Sequence, residues 1–194
     1  MLSLGETAAT GLGDPSPYTA LGIYYGIKAA LAHRTGSSDL AGRRVVIQGL
    51  GHVGWDLARR LSGDGAELVV ADLNADTVRK AQEAFSARAV EADEAYRTEA
   101  DVFAPCALGA GLNETTIPAL GAPIVAGAAN NQLATEEDGR RLVERGILYA
   151  PDYAINAGGV ISIALARPGG SDDIVLDHVA AIGKTLSAIF ARAD

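Results

Sequence analysis

The sequence contains one loop whose glycine spacing suits phosphate binding, Gly49-Leu50-Gly51-His52-Val53-Gly54, and it directly follows an apolar run at residues 45–47. A second apolar run, at residues 68–71, ends on Asp72. The three glycines would allow a tight turn, a close approach of a pyrophosphate to the backbone, and close packing of a helix on a strand. The helix start would offer unpaired N–H groups and a partial positive charge. The order predicts a dinucleotide-binding βαβ unit, with a purely structural glycine turn as the alternative.

Asp72 also bears on the choice of dinucleotide. Its carboxylate could accept hydrogen bonds from ribose hydroxyls and would repel a 2′-phosphate, whereas the following Leu73-Asn74 supplies no arginine to bind one. The sequence therefore predicts NAD rather than NADP.

Polar turns follow three later apolar segments that are expected to be strands. These turns are Cys106-Ala107-Leu108-Gly109, Ala128-Ala129-Asn130-Asn131-Gln132 and Asn156-Ala157-Gly158-Gly159. Because the carboxyl ends of parallel strands meet at one edge of a sheet, we expect the turns to form a rim around a ligand. Side-chain amides offer both a donor and an acceptor, which suits a nicotinamide carboxamide.

Other reactive residue types have simpler explanations. No histidine neighbours Cys106 in any motif, so we expect a small buried residue at a strand end rather than a nucleophile. His52 occupies a variable position of the glycine loop, where a backbone role is expected. Lys28 lies in mid-helix and is expected to be solvated. No His/Cys/Asp cluster has the spacing of a metal site, so no catalytic residue and no metal ligand is assigned.

Composition restricts the classes of protein and partner. The 194 residues are 48% hydrophobic and 5% aromatic, and 23 of them are glycine, which favours an α/β protein over a β-sandwich. The net charge of −8 argues against nucleic acid. The single cysteine excludes an internal disulfide and favours a reducing compartment. We expect a cytoplasmic protein, since residues 1–6 do not resemble a signal peptide and no segment is long and apolar enough to predict a membrane span.

The alternation of short strands and helices predicts one doubly wound, mostly parallel sheet, the Rossmann dinucleotide-binding fold. A single domain over residues 1–194 is expected: a leading helix segment at 1–40, a nucleotide-binding core at 41–165 and a C-terminal helix at 166–194. Its strands are predicted near residues 45–47, 68–71, 88–90, 101–104, 123–127 and 147–150. Its longer helices are predicted from a cap at Ser16 to about 36, near 52–61, from a cap at Asn74 to about 85, from a start at Thr135, around 157–166 and from 172 to about 192. The inner stripe of the last helix is expected to be Ile174, Val175, Val179, Ile182, Leu186 and Ile189.

Five segments together resemble the cofactor-binding half of the amino-acid dehydrogenases that act on leucine, valine and phenylalanine, which are relatives of glutamate dehydrogenase. The segments are Gly13-Asp14-Pro15-Ser16-Pro17-Tyr18-Thr19-Ala20, Gly49-Leu50-Gly51-His52-Val53-Gly54, Phe103-Ala104-Pro105-Cys106-Ala107-Leu108-Gly109, Ala126-Gly127-Ala128-Ala129-Asn130-Asn131-Gln132-Leu133 and Tyr149-Ala150-Pro151-Asp152-Tyr153-Ala154-Ile155-Asn156-Ala157-Gly158-Gly159-Val160-Ile161. They stand in family order and spacing.

The resemblance implies NAD-dependent oxidative deamination of an L-amino acid, reversible to reductive amination. It also implies which residues face the cofactor. For the pyrophosphate these are Gly49, Leu50, Gly51, His52, Val53 and Gly54; for the ribose, Asp72 and Leu73; for the nicotinamide end, Thr19, Cys106, Ala107, Asn131 and Asn156. The segment at Ala154 would line the pocket for the substrate side chain.

The sequence departs from this family in its catalytic groups. Family members carry a lysine in a Gly-Gly-Gly-Lys motif and an aspartate in a separate substrate domain, and neither motif occurs here. The three lysines are Lys28, Lys80 and Lys184, and none follows a glycine run. Three hypotheses follow: an amino-acid dehydrogenase, an oxidoreductase for another substrate whose site a partner chain completes, and a non-catalytic NAD-binding module.

The expected partners follow from the same departure. The substrate would be a small amine, imine or keto acid. Residues 157–165 are apolar and glycine-rich where the resemblance places the cleft. We therefore expect a homo-oligomer or a partner protein to cover this surface.

Overall fold

Strands and helices alternate along the chain in the computed structural model, which describes residues 14–107, 109–165 and 172–193. The helices are α1 (Ser16–Thr35), α2 (His52–Gly63), α3 (Ala75–Phe85), α4 (Glu94–Arg97), α5 (Glu136–Glu144), α6 (Asp152–Ile155), α7 (Gly158–Leu165) and α8 (Asp173–Ala193), with a 3₁₀ turn at Ile117–Ala119. The strands are β1 (Arg44–Gln48), β2 (Glu67–Ala71), β3 (Arg88–Ala89), β4 (Val102–Pro105), β5 (Ile124–Val125) and β6 (Leu148–Tyr149). The N-terminal residues 1–6, Gly13, Leu108 and Ala166, on which sequence predictions were made, lie outside the described residues.

The six strands form one sheet in the order β3-β2-β1-β4-β5-β6, and each strand runs parallel to its neighbours. The predicted doubly wound α/β fold is confirmed. The chain moves outward from β1 to β3 and then returns to β4 on the other side of β1. The carboxyl ends of β1 and β4 are therefore the point at which the winding reverses, where ligands bind in sheets of this kind.

The core lies on both faces of the sheet because its apolar side chains alternate along each strand. Val45 and Ile47 of β1 join the larger cluster beneath α1, α2 and α8, whereas Val46 joins the smaller cluster with Phe103 and Leu142. All of these side chains are buried, as is expected for a parallel sheet covered on both faces.

The helix termini follow the predicted capping chemistry in two of three places. Asn74 accepts hydrogen bonds from the first turn of α3, and Thr135 forms a capping box with Asp138 at α5. The prediction that Ser16 caps α1 is wrong: Ser16 lies within the helix, and its N–H donates to Asp14 Oδ1 at 2.9 Å.

The helix predicted around 157–166 is observed as α7, and the short helix α6, which was not predicted, precedes it. A Cβ on Gly158 would lie 2.1 Å from the carbonyl oxygen of Tyr18 in α1. The start of α7 therefore packs directly on the backbone of α1, which leaves no room for a side chain at this position.

The last helix, α8, packs on α1 through side chains that are all buried: Val175, Val179, Ile182, Leu186 and Phe190. Ile174 was expected in this stripe but is 60% exposed. By length and composition alone α8 is apolar enough to cross a membrane, with a mean hydropathy of 1.5 over its best window, which for one helix is weak evidence and does not contradict the expectation from sequence. The core of a globular domain gives the same pattern, and here the apolar stripe is covered by α1.

Candidate functional site

The glycine loop joins β1 to α2 at the reversal point of the sheet. Gly49 has φ = +99°, and a Cβ on it would lie 2.7 Å from the backbone nitrogen of Ala107. A Cβ on Gly54 would lie 2.0 Å from the carbonyl oxygen of Gly49. The first and third glycines are thus required for close backbone packing, as the sequence predicted.

Gly51 differs from its two neighbours in the motif. A Cβ built on it meets no atom of the described chain within 4 Å. Gly51 is also the N-cap of α2, and no side chain among the described residues caps the first N–H groups of this helix. The loop leaves room for a group with negative charge at the positive end of the helix dipole.

Asp72, at the carboxyl end of β2, contacts this loop directly. Its Oδ2 accepts a hydrogen bond from the backbone N–H of Leu50 at 2.6 Å, and its Oδ1 accepts one from the N–H of Asn74 at 2.8 Å. Each oxygen retains a free lone pair, since a carboxylate oxygen can accept two hydrogen bonds. The neighbouring Leu73 is 96% exposed, so an apolar side chain stands in solvent next to the carboxylate.

The turn after β5 meets the two ends of α6 through side-chain amides and one carboxylate. Asn156 Nδ2 donates to Asn130 Oδ1 at 2.7 Å. Asn131 has φ = +49°, and its N–H donates to Asp152 Oδ2 at 2.6 Å. The structure therefore brings Asn131 and Asn156 to one rim, as predicted, and Asp152 holds the turn in its left-handed conformation.

The loop after β4 lies between the glycine loop and this rim. Ala107 is exposed, and Cys106 is half-buried with its N–H donating to Gln48 O at 2.7 Å. Burial raises the pKa of the Cys106 thiol to about 12. The thiol is therefore protonated at neutral pH, which favours the predicted structural role over a nucleophilic one.

The first turn of α1 completes the rim. Thr19 Oγ1 donates to Pro15 O at 3.2 Å, and a Cβ on Gly159 would lie 2.5 Å from that hydroxyl oxygen. Thr19 therefore lies against the start of α7, which begins two residues after Asn156. Asp14 lies before the same helix, with Oδ2 3.7 Å from His52 Nδ1. Hydrogen bonds from Ser16 lower the pKa of Asp14.

Lys28 lies away from the glycine loop and is paired rather than fully solvated. Lys28 Nζ lies 3.5 Å from Asp64 Oδ2 and 3.2 Å from the Tyr24 hydroxyl. Asp64 is the C-cap of α2, the opposite end of that helix from the glycine loop. Among the described residues, no group of three or more His, Cys, Asp or Glu side chains could hold a metal ion.

Sequence interpretation did not identify three features of this arrangement: the hydrogen bond by which Asp152 holds Asn131, the contact of Asp14 with His52, and the burial of Gln132, which was expected only as part of the polar turn. From sequence, Asp14 and Asp152 are potential acids as well as candidates for turn and cap roles. Their partners lie 38 and 21 positions away along the chain (52 − 14; 152 − 131), so no local pattern could identify them.

Comparison with known proteins decides the family. The family model described as Glutamate/Leucine/Phenylalanine/Valine dehydrogenase matches residues 10–75 and 70–177. The chain belongs to this dehydrogenase family. The resemblance drawn from the motifs is confirmed.

Relatives within the dehydrogenase family are similar over most of this chain. Leucine dehydrogenase of Bacillus cereus is 46% identical over 177 residues, which are 91% of this chain and 48% of that protein. L-tryptophan dehydrogenase of Nostoc punctiforme is 45% identical over 92% of this chain and 51% of that protein. The chain spans about half the length of the curated relatives it matches.

Solved structures from the family have the same fold. The crystal structure of L-tryptophan dehydrogenase from Nostoc punctiforme superposes with a TM-score of 0.89 at 45% identity, covering 92% of this chain and 55% of that one. The hetero-hexameric glutamate dehydrogenase of Thermus thermophilus has a TM-score of 0.67 at 26% identity, covering 89% of this chain and 46% of that one.

Proposed function

We propose that this chain is the NAD-binding half of an amino-acid dehydrogenase, which moves a hydride between the cofactor and the amine- or imine-bearing carbon of a small substrate. The observation that carries the proposal is the contact of Asp72 with the N–H of Leu50. It places a carboxylate with free lone pairs beside an open glycine loop at a helix N-terminus, as a ribose joined to a pyrophosphate requires.

The residues present fit this cofactor. The space at Gly51 would be filled by any side chain, and the N–H groups at the start of α2 would hold the pyrophosphate. Asp72 and the exposed Leu73 would contact the adenosine, while Ala107, Asn131, Asn156 and Thr19 would orient the nicotinamide, with Cys106 packed behind them. When bound, NAD supplies the hydride acceptor for oxidative deamination.

NAD is proposed over NADP because the negative charge of Asp72 would repel a 2′-phosphate. Family membership sets only the coarser expectation of a nicotinamide dinucleotide. No arginine follows Asp72 in Leu73-Asn74 to offset this repulsion.

A second surface is required to complete the cleft. Tyr153, Val160 and Ile163 expose 76%, 71% and 54% of their surface. Hydride transfer needs a site from which water is excluded. We propose that a substrate-binding half, in an oligomer or on a partner protein, covers these side chains and contributes the proton-transferring groups. The substrate would be an amine, an imine or a keto acid, and the expected location is the cytoplasm.

Calorimetric titration of the purified chain with NAD and NADP tests cofactor binding. We expect NAD to bind and NADP to bind more weakly; equal or tighter NADP binding would contradict the choice of cofactor. Absence of binding by either would contradict the proposed function.

A second assay follows NADH formation from NAD with leucine, valine or phenylalanine. Because the family lysine motif is absent, we expect no measurable turnover by this chain, since each lost acid/base group typically costs ~10²–10⁴-fold in rate. A bound cofactor with no turnover, even with the complementing half supplied, would favour a non-catalytic NAD-binding module.

A further inference from the structure

Gln132, in the turn after β5, is a buried amide with only one of its two ends bonded. It is 1% exposed, and its Nε2 donates to the carbonyl oxygen of Gly127 at 2.9 Å. Its Oε1 is buried and has no hydrogen-bond partner within the described part of the chain. A buried polar oxygen without a partner lowers stability, because its bond to water is lost on folding and not replaced. An apolar side chain of similar size would avoid this cost.

The one bond that Gln132 makes closes a turn from the inside. The turn runs from Gly127 to Gln132 and carries Asn130 and Asn131 on its exposed side. Those two asparagines connect it to the neighbouring turn: Asn130 accepts from Asn156, and Asn131 donates to Asp152. The buried amide thus fixes the base of the turn whose tip forms the rim.

The loop after β4 is hydrogen-bonded to the same turn. The N–H of Ala110 donates to Asn131 O at 2.7 Å, and the N–H of Leu112 donates to Gln132 O at 2.9 Å. A Cβ on Gly109 would lie 2.4 Å from Asn130 O. With so little room, a change at the base of the turn would displace both loops.

We propose that Gln132 is a positioning residue for the nicotinamide end of the cofactor. Its Nε2–H holds the turn in the conformation that presents Asn131 to the nicotinamide ring. The unpaired Oε1 lowers the stability of the fold, and this loss accompanies the conformation that binding needs. The inference rests on the proposed function. It adds that an interior amide, which cannot itself reach solvent, controls how the reactive ring is held.

The test compares two ligands on the purified chain. NADH carries the nicotinamide ring, whereas ADP-ribose carries the adenosine and pyrophosphate without it. Gln132→Met keeps the size of the side chain but removes the donor. Gln82→Met, on the exposed side of α3, is the matched control.

For Gln132→Met we expect about tenfold weaker NADH binding and a loss of the change in NADH fluorescence on binding, the signature of a held ring. ADP-ribose affinity should stay unchanged, and the midpoint of urea unfolding should be equal to or higher than that of the parent chain. Gln82→Met should alter none of these.

Gln132→Glu supplies a rescue. Its protonated carboxyl can donate to Gly127 O, whereas its carboxylate repels that oxygen. We expect the NADH affinity of this variant to be near that of the parent chain at low pH and to fall as pH rises. Its ADP-ribose affinity should not show this additional fall.

Parallel losses of NADH and ADP-ribose affinity, with earlier unfolding, would overturn the inference by making Gln132 merely structural. Unchanged NADH binding by Gln132→Met would also overturn it. If the parent chain binds neither ligand, the proposed function fails and this inference fails with it; if the parent binds both, only the inference is at stake.

Discussion

The carboxylate of Asp72 accepts a hydrogen bond from the backbone N–H of Leu50 across 2.6 Å, which joins the end of β2 to the glycine loop after β1. One side chain thus shapes the loop that would hold the pyrophosphate and stands where a ribose would lie. Substitutions at Asp72 separate these two roles.

Asp72→Ala removes both roles and should weaken NAD binding by ~1–3 kcal/mol, the usual cost of lost charged hydrogen bonds. The amide oxygen of Asp72→Asn can still accept the hydrogen bond from the N–H of Leu50, so this variant should lose less NAD affinity than Asp72→Ala. Because its amide is neutral, it no longer repels a 2′-phosphate, and the difference in affinity between NAD and NADP should become smaller. Calorimetric titration measures both, with Glu83→Ala on the exposed side of α3 as the control. Undiminished NAD binding by Asp72→Ala would contradict the assignment.

Gly51→Ala and Gly54→Ala should have opposite effects on stability and binding. The Cβ of Gly54→Ala would meet Gly49 O at 2.0 Å, so unfolding should become easier by at least ~1–3 kcal/mol. The Cβ of Gly51→Ala meets nothing in the described chain, so the fold should be nearly unaffected, while NAD affinity falls about tenfold or more, or ~1.4 kcal/mol. Urea unfolding and NAD titration of both variants test this. A Gly51→Ala chain that binds NAD normally would show that the pyrophosphate lies elsewhere.

Cys106 should be inert while the chain is folded. Because burial raises its pKa to about 12, the reactive thiolate is scarce at neutral pH, and alkylation by iodoacetamide should be slow until urea is added. Mass spectrometry of the labelled chain measures the rate. Fast labelling of the folded chain would contradict the structural role.

The same raised pKa affects stability at alkaline pH. An unfolded cysteine ionises near pH 8.5, at about the usual value, whereas the folded one stays protonated to about 12. The contribution to stability is therefore complete below about pH 8.5 and is lost as pH rises toward 12. Cys106→Ala should show a shallower fall in unfolding free energy over that window than the parent chain.

Self-association should depend on the exposed apolar side chains of α6 and α7. Light scattering behind a sizing column should show the parent chain as an oligomer, and the pair Val160→Ser with Ile163→Ser should shift it toward monomer. Leu73→Ser removes an even more exposed apolar side chain, from the loop after β2, and is the control. If the parent chain stays monomeric at high concentration, the prediction of self-association is wrong, and a different partner protein would have to cover these side chains.

Much of the fold was determined by local patterns in the sequence. The glycine loop and the caps at Asn74 and Thr135 each depend on residues a few positions apart, so the sequence spacing predicts them directly. Asp72 is predicted from the end of the second apolar run, whereas its bond to the loop is not. The parallel sheet follows from repeated strand–helix alternation. The roles of the individual site residues toward the cofactor remain predictions.

Only the tertiary structure decided how separate loops hold one another. The bonds from Leu50 to Asp72, from Asn131 to Asp152 and from Asn156 to Asn130 span 22, 21 and 26 positions along the chain. They form because β1 lies between β2 and β4 and because β5 and β6 are neighbours, an order that no local pattern encodes. The buried, half-bonded amide of Gln132 belongs with them, since burial is a property of the packed loops and not of a residue type.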